Sequence, residues 1–312
     1  MGEIVLNWNM KAEATHDLER PRLTPGVPMK PVSRFDKARG EFHARLCREV
    51  LLVDSDHVAS NADRNNSVSK KIALGLAKKL GASTASRVAG QVLEDPFVRA
   101  CAEFIKTTFA DLAHLRPGKW TVAKTSRHEM DITEFEQYSH LHYIKRLSEE
   151  HSQLKMILGG TLYIKPDIVV FREPEDDQGI NKNAPLVGDS DTPFASLRRR
   201  CSPLPILNAS ISCDWTIQSD ENQISRSLAQ KLLKYRKGHS PHLMVITAEP
   251  HPERLAAMCL GTGDIDYVYH FALPELSVVV SELRCAAGDI LDKLVVGNRL
   301  RDICDLPLDL AI

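Results

Sequence analysis

The sequence predicts an α/β fold in which a β-sheet is layered with helices. Apolar, β-branched runs typical of buried strands alternate along the chain with segments whose apolar residues recur at helical spacing. The clearest pair is a strand from Leu204 to Ile217 that passes directly into a helix beginning at Ser219. Such alternation is typical of layered α/β domains. The 312 residues allow one large domain or two small ones.

Composition excludes several classes of protein. The formal net charge is −1, so no overall positive field attracts nucleic acid, and DNA contact would depend on locally grouped Lys and Arg. Seven scattered cysteines without a CxxC pair argue against a zinc site or a disulfide framework and fit a reducing cytoplasm. No apolar run reaches the roughly 20 residues that span a membrane, and the N-terminus lacks the order of a secretory signal. We therefore expect a cytoplasmic protein with no membrane segment.

An extended arm is predicted for residues 1–34, because PRLTPGVPMKPVSR carries four prolines and has no apolar period. Residues 35–312 are expected to form the folded domain. Three helices precede its first strand, each marked by apolar spacing and by capping or breaking residues. They cover 35–52, a segment from Ser67 or Ser69 to Gly81, and a segment from Asp95-Pro96 to Pro117-Gly118.

Strands and helices alternate after residue 118. The patterns predict a strand starting at 119–122, a long polar helix at 132–158, a strand at 161–171, a polar loop at 172–202, the strand and helix of 204–238, a strand at 242–250, a short helix near 251–259, a strand at 266–274, a helix at 275–296 and a C-terminal tail. Pro166 predicts that the strand at 161–171 is an edge strand or is kinked.

Acidic and polar residues on two of these strands suggest a metal-dependent nuclease. Asp167 is the one acid in an otherwise apolar run, where a buried carboxylate without a role is costly. Ser212-Cys213-Asp214 places polar side chains at a spacing of two on the later strand. Carboxylates from two adjacent strands can hold Mg²⁺ against a phosphodiester, and such sites usually add a Lys on the second strand.

Several stretches resemble the NgoMIV-type restriction endonucleases of the PD-(D/E)xK nuclease superfamily, which cleave CCGG-containing DNA. The similarity runs from about Phe35 to Ile312. It is carried by SNADRNNS (60–67), KPDIVV (165–170), ASLR (195–198), LNASISCDWTI (207–217), RKGHSPHLMVITAEPHPERL (236–255), LGTGDIDYVYHFAL (260–273) and LRDICDLPLDLAI (300–312).

The resemblance implies a restriction-endonuclease-like fold with a central mixed β-sheet flanked by α-helices. It implies Mg²⁺ as cofactor and double-stranded DNA as substrate. It also implies a homo-oligomer, a dimer or a homotetramer of paired dimers that engages two duplex sites, and a cognate DNA methyltransferase in the same restriction-modification system.

The candidate catalytic residues that the resemblance implies are Asp167, Ser212 and Asp214. Asp167 matches the first metal-binding Asp of the family, and Ser212-Cys213-Asp214 matches its Ser-Cys-Lys strand, so that Asp214 stands in the lysine position. Two further family positions, both Glu, are Val98 and Leu228 here. Of the four catalytic positions, Asp167 alone is unchanged.

The candidate metal ligands follow from the same match. They are Asp167, Asp214, the backbone carbonyl of Cys213, and Glu94, which lies one turn before Val98 on the same predicted helix.

The candidate DNA-reading residues open the helix after this strand. The family has Arg-Ser-Asp-Arg there, and this chain has Gln218, Ser219, Asp220 and Glu221. Gln can pair with adenine, and Asp or Glu can accept from cytosine, so the chain could read another sequence or not read DNA at all. Lys234 and Arg236, near the end of the helix, are candidate phosphate contacts, although cations there also complement the helix dipole.

Two functional hypotheses remain open. In the first, the protein is a type II restriction endonuclease that hydrolyses phosphodiesters with Mg²⁺ at a short site, ancestrally one containing CCGG. A separate version of this hypothesis is an active nuclease with a rebuilt metal site, which uses Asp167, Asp214 and Glu94 and takes a Lys from elsewhere, such as Lys165. In the second, it is a catalytically impaired or inactive DNA-binding or assembly homologue of the same fold.

Overall fold

A six-stranded mixed sheet, whose strands lie side by side in chain order, forms the centre of the fold in the computed structural model of the chain. The structure describes residues 32–84, 94–125, 131–150, 164–217, 219–261, 263–284 and 287–312. Residues 34–312 form one compact unit, to which all elements below belong. The predicted arm at 1–34 lies almost entirely outside the described residues and stays a prediction.

The sheet changes from antiparallel to parallel pairing at its third strand. β1 pairs with β2 and β2 with β3 in antiparallel register, whereas β3, β4, β5 and β6 run parallel. The parallel half needs helical crossovers, which explains the strand–helix alternation of the sequence. The strands are β1 (Trp120–Lys124), β2 (Ile168–Arg172), β3 (Ile206–Asp214), β4 (His242–Thr247), β5 (Tyr267–His270) and β6 (Leu300–Asp302).

Helices cover both faces of the sheet, so the predicted α/β fold with a mixed sheet is confirmed. They are α1 (Arg34–Glu49), α2 (Ser67–Leu80), α3 (Glu94–Ala110), α4 (His140–Glu150), α5 (Asp177–Ile180), α6 (Ser219–Tyr235), α7 (Pro252–Cys259), α8 (Leu273–Leu283), α9 (Ala287–Val296) and α10 (Leu306–Asp309). None of the helices in the described ranges is long and apolar enough to cross a membrane.

The two faces of β3 pack against different helices. Side chains alternate along a strand, so Ile211 and Cys213 point to one face while Ser212 and Asp214 point to the other. On the first face lies α3, whose Cys101 side chain hydrogen-bonds Cys213. On the second lies α6, whose Ser225 hydrogen-bonds Asp214. The side chains of β3 that face α3 and those that face α6 therefore have different surroundings.

The helix predicted for 132–158 is wrong in its first part. Two 3₁₀ turns, Ile132–Glu134 and Glu136–Tyr138, precede α4. Phe135 between them is extended, with φ −91° and ψ 145°, and its buried ring packs on Phe171 at 5.5 Å between ring centroids. Burial of this ring against β2 overrides the local helical pattern. Residues 151–163 lie outside the described part of the chain.

Two other helix ends differ from the sequence-based expectation. The N-cap of α2 is Asn66 rather than Ser67 or Ser69, since Asn66 Oδ1 accepts from the N–H groups of Val68 and Ser69 at 2.9 Å. Gly81 closes this helix as predicted, in the left-handed conformation with φ 73°.

The third predicted helix also ends early. α3 ends at Ala110 rather than at Pro117-Gly118, because i to i+3 turns at Leu112 and Leu115 replace the helical hydrogen bonds. It is already helical at Glu94, one residue before the expected start at Asp95-Pro96.

The C-terminal region contains more elements than the sequence indicated. The single helix predicted for 275–296 is two helices, α8 and α9, because Arg284 adopts a left-handed conformation with φ 47° and ends α8. Residues 300–302 of the predicted tail form the edge strand β6. Pro166 was expected to mark an edge or kinked strand; it precedes β2, which lies between β1 and β3.

Candidate functional site

Asp167 lies just before β2, at the end of the sheet where β1 also ends. Its carbonyl accepts from Thr125 N at 2.8 Å, which extends the β1–β2 pairing by one step. Its partly buried carboxylate reaches across to β3, where Oδ2 accepts from the backbone N–H of Cys213 at 2.8 Å. The antiparallel pairing of β2 and β3 therefore sets the position of this carboxylate.

Asp214 ends β3 on the face that α6 covers. Ser225 Oγ on α6 donates to the Asp214 carboxylate, 3.0 Å from Oδ2 and 3.3 Å from Oδ1. Ser225 is buried and Asp214 is partly buried. The position that the resemblance matches to the family Lys thus holds a carboxylate that accepts from a helix hydroxyl.

Ser212 and Cys213 complete the polar set of β3 but differ in surroundings. Ser212 is buried and lies with Ser210 against Leu228 of α6. The Cys213 side chain faces α3, where burial and the nearby Cys101 raise the pKa of its thiol well above the usual range. A protonated, buried thiol is a poor metal ligand, so the backbone carbonyl is the one group of Cys213 suited to this role.

Apolar side chains occupy the two positions that the resemblance matches to Glu residues of the family. Val98 on α3 is buried, and Leu228 on α6 is partly buried. Leu228 therefore presents hydrocarbon to Ser210 and Ser212 of β3. The side chain of Glu94, proposed as a replacement ligand, lies outside the described residues; its backbone begins α3, one turn before Val98.

Among the described residues, Asp167 and Asp214 are the carboxylates of the candidate site that are available to a Mg²⁺ ion. Within the described residues, no group of three or more His, Cys, Asp or Glu side chains is placed to hold a metal ion. Asp167 and Asp214 flank Cys213, and both carboxylates act electrostatically on its thiol. Mg²⁺ accepts one or two carboxylates when waters and substrate phosphates complete its shell. The pair fits the ion on that condition.

The predicted DNA-reading residues lie at the start of α6, close to Asp214 in the chain. Ser219, Asp220 and Glu221 form the first turn of this helix. Gln218 and the side chains of residues 219–223 lie outside the described part, so their contacts with bases stay predictions. The first turn of a helix offers free N–H groups to anions, which suits a position near DNA phosphates.

Lys234 and Arg236 lie at the other end of α6. Fifteen residues separate Ser219 from Lys234, about 22 Å along the helix axis. Lys234 Nζ lies 5.4 Å from the Tyr235 ring centroid, and Arg236 donates to the carbonyl of Leu233. The structure does not bring these two cations together with the carboxylates, and their contact with phosphate stays a prediction.

Two groups at the site were missed in the sequence. Ser225 was not singled out, because its bond to Asp214 depends on how α6 packs on β3. Glu249 lies inside one of the matching stretches but was not among the candidate residues. It is 1% exposed, and its carboxylate accepts from the N–H of Ile217, next to the predicted DNA-reading residues. An acid directly after the apolar run of β4 was the available signal.

Comparison with known proteins identifies the family of the chain. A family model described as NgoMIV restriction enzyme matches residues 42–312. The type II restriction enzyme NgoMIV of Neisseria gonorrhoeae is 43% identical over 282 residues, which cover 89% of this chain and 99% of that enzyme. Both matches include β2, β3 and α6. The chain therefore belongs to the NgoMIV family of type II restriction enzymes, a family of DNA-cleaving proteins.

Proposed function

We propose that the protein binds double-stranded DNA at a short specific site, with Mg²⁺ held by Asp167 and Asp214, and that its phosphodiester hydrolysis is much slower than that of a family member with the full catalytic set. One observation carries the proposal. The lysine position of the family holds Asp214, and Ser225 of α6 fixes this carboxylate in the folded protein.

Duplex DNA is the substrate that the family and the site support together. The first turn of α6 follows directly on the strand that carries Asp214. The two arginine positions of the family are Gln218 and Glu221, which favour different base edges: Gln pairs with adenine, and carboxylates accept from cytosine N4. We therefore propose a target that departs from the ancestral CCGG-containing site.

The residues present would bind the metal better than they would complete the reaction. When bound, Mg²⁺ supplies charge neutralisation for a phosphodiester and acidifies a water. Asp167 and Asp214 would hold the ion, while the backbone N–H of Cys213 keeps Asp167 oriented. A lysine at position 214 would have offset developing negative charge, whereas a carboxylate adds to it.

The loss of rate follows from the electrostatics of the site. Removing one preorganised group that stabilises transition-state charge typically costs about 10² to 10³ in rate. Here the cation is replaced by an anion at Asp214, and both family Glu positions are apolar, at Val98 and Leu228. We therefore place hydrolysis at least about 10³-fold below that of a complete site.

A rebuilt nuclease is the second candidate, and the burial pattern before β2 favours it. Ile164 and Pro166 are buried, whereas Lys165 and Asp167 are partly exposed. This alternation places Lys165 and Asp167 on the same side of an extended segment. Lys165 would then supply the cation that position 214 lacks. Discrete DNA fragments lost in Lys165→Ala, but kept in the exposed control Lys182→Ala, would establish this candidate.

We further propose that several copies of the chain act together, as the family resemblance implies. The loop after β2 is held by Arg198, which is 1% exposed and donates to both oxygens of Asp177 at 2.6 and 2.8 Å. This ordered loop displays Phe194, which is 94% exposed. An apolar ring on an ordered loop fits a contact with a second copy.

Sedimentation tests this assembly. The wild type should sediment as a dimer or tetramer, and Phe194→Ser should shift it to smaller species. Leu260→Ser, which changes an exposed side chain elsewhere, should not do so. A monomeric wild type contradicts the assembly.

A cognate DNA methyltransferase would be a further partner of the protein. A restriction-modification system of this kind would act on DNA in the cytoplasm.

Selection from a pool of random-sequence duplexes tests the main proposal. The purified protein is mixed with the pool in Mg²⁺, and the bound DNA is recovered and sequenced. We expect enrichment of one short motif and an affinity that falls steeply with salt. A pool recovered unchanged, with no salt-sensitive binding, would overturn the proposal.

A further inference from the structure

Glu249 is a buried carboxylate that follows β4 and lies outside the candidate metal site. Its side chain is 1% exposed, and its own N–H donates to Thr247 Oγ1 at 3.1 Å. Thr247 lies opposite Asp214 in the parallel pairing of β3 and β4. Glu249 therefore lies beside the point where the chain leaves β3 and enters α6.

Both oxygens of this carboxylate accept from backbone N–H groups. Oε2 accepts from Ile217 N at 2.9 Å, and Oε1 accepts from His251 N at 2.9 Å. Ile217 is buried and is the last described residue before α6. The two bonds join the entrance of α6 to the segment that follows β4.

Arg254 connects Glu249 to a second part of the chain. Its Nη1 lies 3.7 Å from Glu249 Oε2, and its Nη2 donates to Asp63 in the loop before α2. The same loop is tied down by Asn61, which is fully buried and donates to the carbonyl of Ala248 at 2.8 Å. Arg254 therefore anchors the Glu249 carboxylate, and this carboxylate in turn accepts from the backbone N–H of Ile217.

We propose that Glu249 is a positioning residue for DNA recognition: it fixes the backbone at Ile217, and with it the direction in which the first turn of α6 presents its side chains. This inference rests on the proposed function, because it assigns specificity to the same DNA-reading helix. Glu249 acts through Ile217 and is not itself placed to contact DNA.

Both oxygens are needed, so the ionised form of Glu249 does this best. A carboxylate offers acceptor sites on both oxygens, whereas an amide offers one oxygen and places a donor at the other position. Burial raises the pKa of Glu249 to about 7, although the N–H groups of Ile217 and His251 and the charge of Arg254 all favour ionisation. Among the described residues, the charged and titratable groups beside it are Arg254, Asp63 through Arg254, and the imidazole of His270, which lies against the Glu249 backbone.

Glu249→Gln is the variant that tests the inference, and Glu253→Gln is its matched control. Both replace a carboxyl group by an amide in the same segment, but Glu253 is exposed on α7. The first measurement is hydrogen exchange of the Ile217 amide without DNA. We expect exchange about tenfold faster in Glu249→Gln, with β2 and β6 unchanged and no effect in the control. An unchanged Ile217 rate overturns the inference.

The second measurement is the ratio of affinities for the selected duplex and for a scrambled duplex. We expect this ratio to fall about tenfold in Glu249→Gln, since a bond to a charged acceptor at the reading helix is lost, while affinity for the scrambled duplex stays the same. Equal losses on both duplexes would indicate a structural role alone and overturn the inference, as would an unchanged ratio.

A second variant keeps the test decisive if Glu249→Gln does not fold. Arg254→Gln removes the ion pair at a partly exposed helix position, and we expect the affinity ratio to fall about threefold. An unchanged ratio in Arg254→Gln contradicts the anchoring role. A wild type without any preferred duplex overturns the proposed function itself, whereas a preferred duplex that the variants bind equally well overturns this inference alone.

Discussion

The two carboxylates of the candidate site are held in different ways. Asp167 accepts from the backbone N–H of Cys213 at 2.8 Å. Asp214 accepts from the hydroxyl of Ser225 at 3.0 and 3.3 Å. The first contact uses a group that every residue except Pro provides, and it depends only on the pairing of β2 with β3. The second requires a particular side chain at one position of α6.

This difference fits the proposal that the chain keeps the family framework while its chemistry changes. Backbone contacts persist as long as the sheet forms, so Asp167 keeps its place. The α6 side of the site depends on side chains, and there Asp214, Ser225 and Leu228 form a set of their own. A lysine at position 214 would face a serine and a leucine rather than an acid.

Restoring the family residues is expected to have the largest effect. The triple variant Asp214→Lys, Val98→Glu, Leu228→Glu should cleave DNA at least about 10³-fold faster than the wild type in Mg²⁺, because each restored group stabilises charge in the transition state. Single-turnover digestion of plasmid DNA measures the rate.

Asp214→Lys alone should gain less than about tenfold, since the apolar Val98 and Leu228 leave the site without the two acidic groups that those helix positions would supply. Asp214→Asn, which removes charge without adding a cation, is the control. Strong cleavage by the single Lys variant would show that the two helix positions matter little.

Glu249 is a third carboxylate to compare with Asp167 and Asp214. Like Asp167 it accepts from backbone N–H groups, but unlike Asp167 it is almost fully buried. Burial raises its pKa from 4.5 to about 7. Between these pH values the unfolded chain ionises first, so this group's contribution to the free energy of unfolding falls by about 3 kcal/mol as pH rises. We therefore expect the difference in the free energy of unfolding between Glu249→Gln and the wild type to shift by about 3 kcal/mol in favour of the variant as pH rises from 4.5 to 8. Urea unfolding of both proteins over this pH range measures the shift.

The contribution of His270 to stability changes with pH in the opposite direction. In the wild type alone it therefore masks the effect of Glu249. Burial lowers its pKa from 6.5 to about 4, so its contribution to stability is lost as pH falls through that range. His270 is present in both proteins, so its contribution cancels when the free energy of unfolding of the wild type is subtracted from that of Glu249→Gln at each pH. A difference that stays constant from pH 4.5 to 8 would contradict the burial of an ionisable Glu249.

Neutralising Asp167 should remove the magnesium dependence of DNA binding. We expect Mg²⁺ to strengthen wild-type binding about tenfold and to have almost no effect on Asp167→Asn, whose metal-free binding improves because one carboxylate no longer repels phosphate. Fluorescence anisotropy with and without Mg²⁺ measures this ratio. Asp289→Asn, an exposed change on α9, should behave like the wild type. A magnesium effect retained in Asp167→Asn would place the ion elsewhere.

The smallest expected effect is that of Ser225→Ala. Removing the hydroxyl leaves the partly buried Asp214 without this donor, which should lower the free energy of unfolding by about 1 kcal/mol. Ser227→Ala, at an exposed position of the same helix, should cost almost nothing. Thermal unfolding of the two variants compares them. Equal melting temperatures would mean that the Ser225 contact does not hold Asp214.

Much of the fold could be predicted from the sequence because its strands are short apolar runs and its helices carry clear stops such as Gly81. The exceptions depend on tertiary contacts. Phe135 interrupts a helical pattern because its ring packs on Phe171, and β6 forms only because β5 is available for pairing.

The candidate site could be predicted in part. Asp167 and Asp214 were identified from their unusual positions in apolar strands and from the family match. Their partners could not be identified, since the Cys213 contact depends on the register of two strands and Ser225 lies 11 residues from Asp214 on a different element. Glu249 lies 32 residues from Ile217, and only the β3–β4 pairing brings the two together.

The most direct test of the account follows binding and cleavage of the selected duplex by the wild-type protein in one reaction. The protein is held in excess over the DNA, first with Mg²⁺ and then with Mn²⁺. We predict that the duplex is bound in a salt-sensitive complex and cleaved at least about 10³-fold more slowly than by the triple variant. Rapid cleavage by the wild type, lost in Asp167→Ala, would contradict the claim that the framework is kept while the chemistry is exchanged.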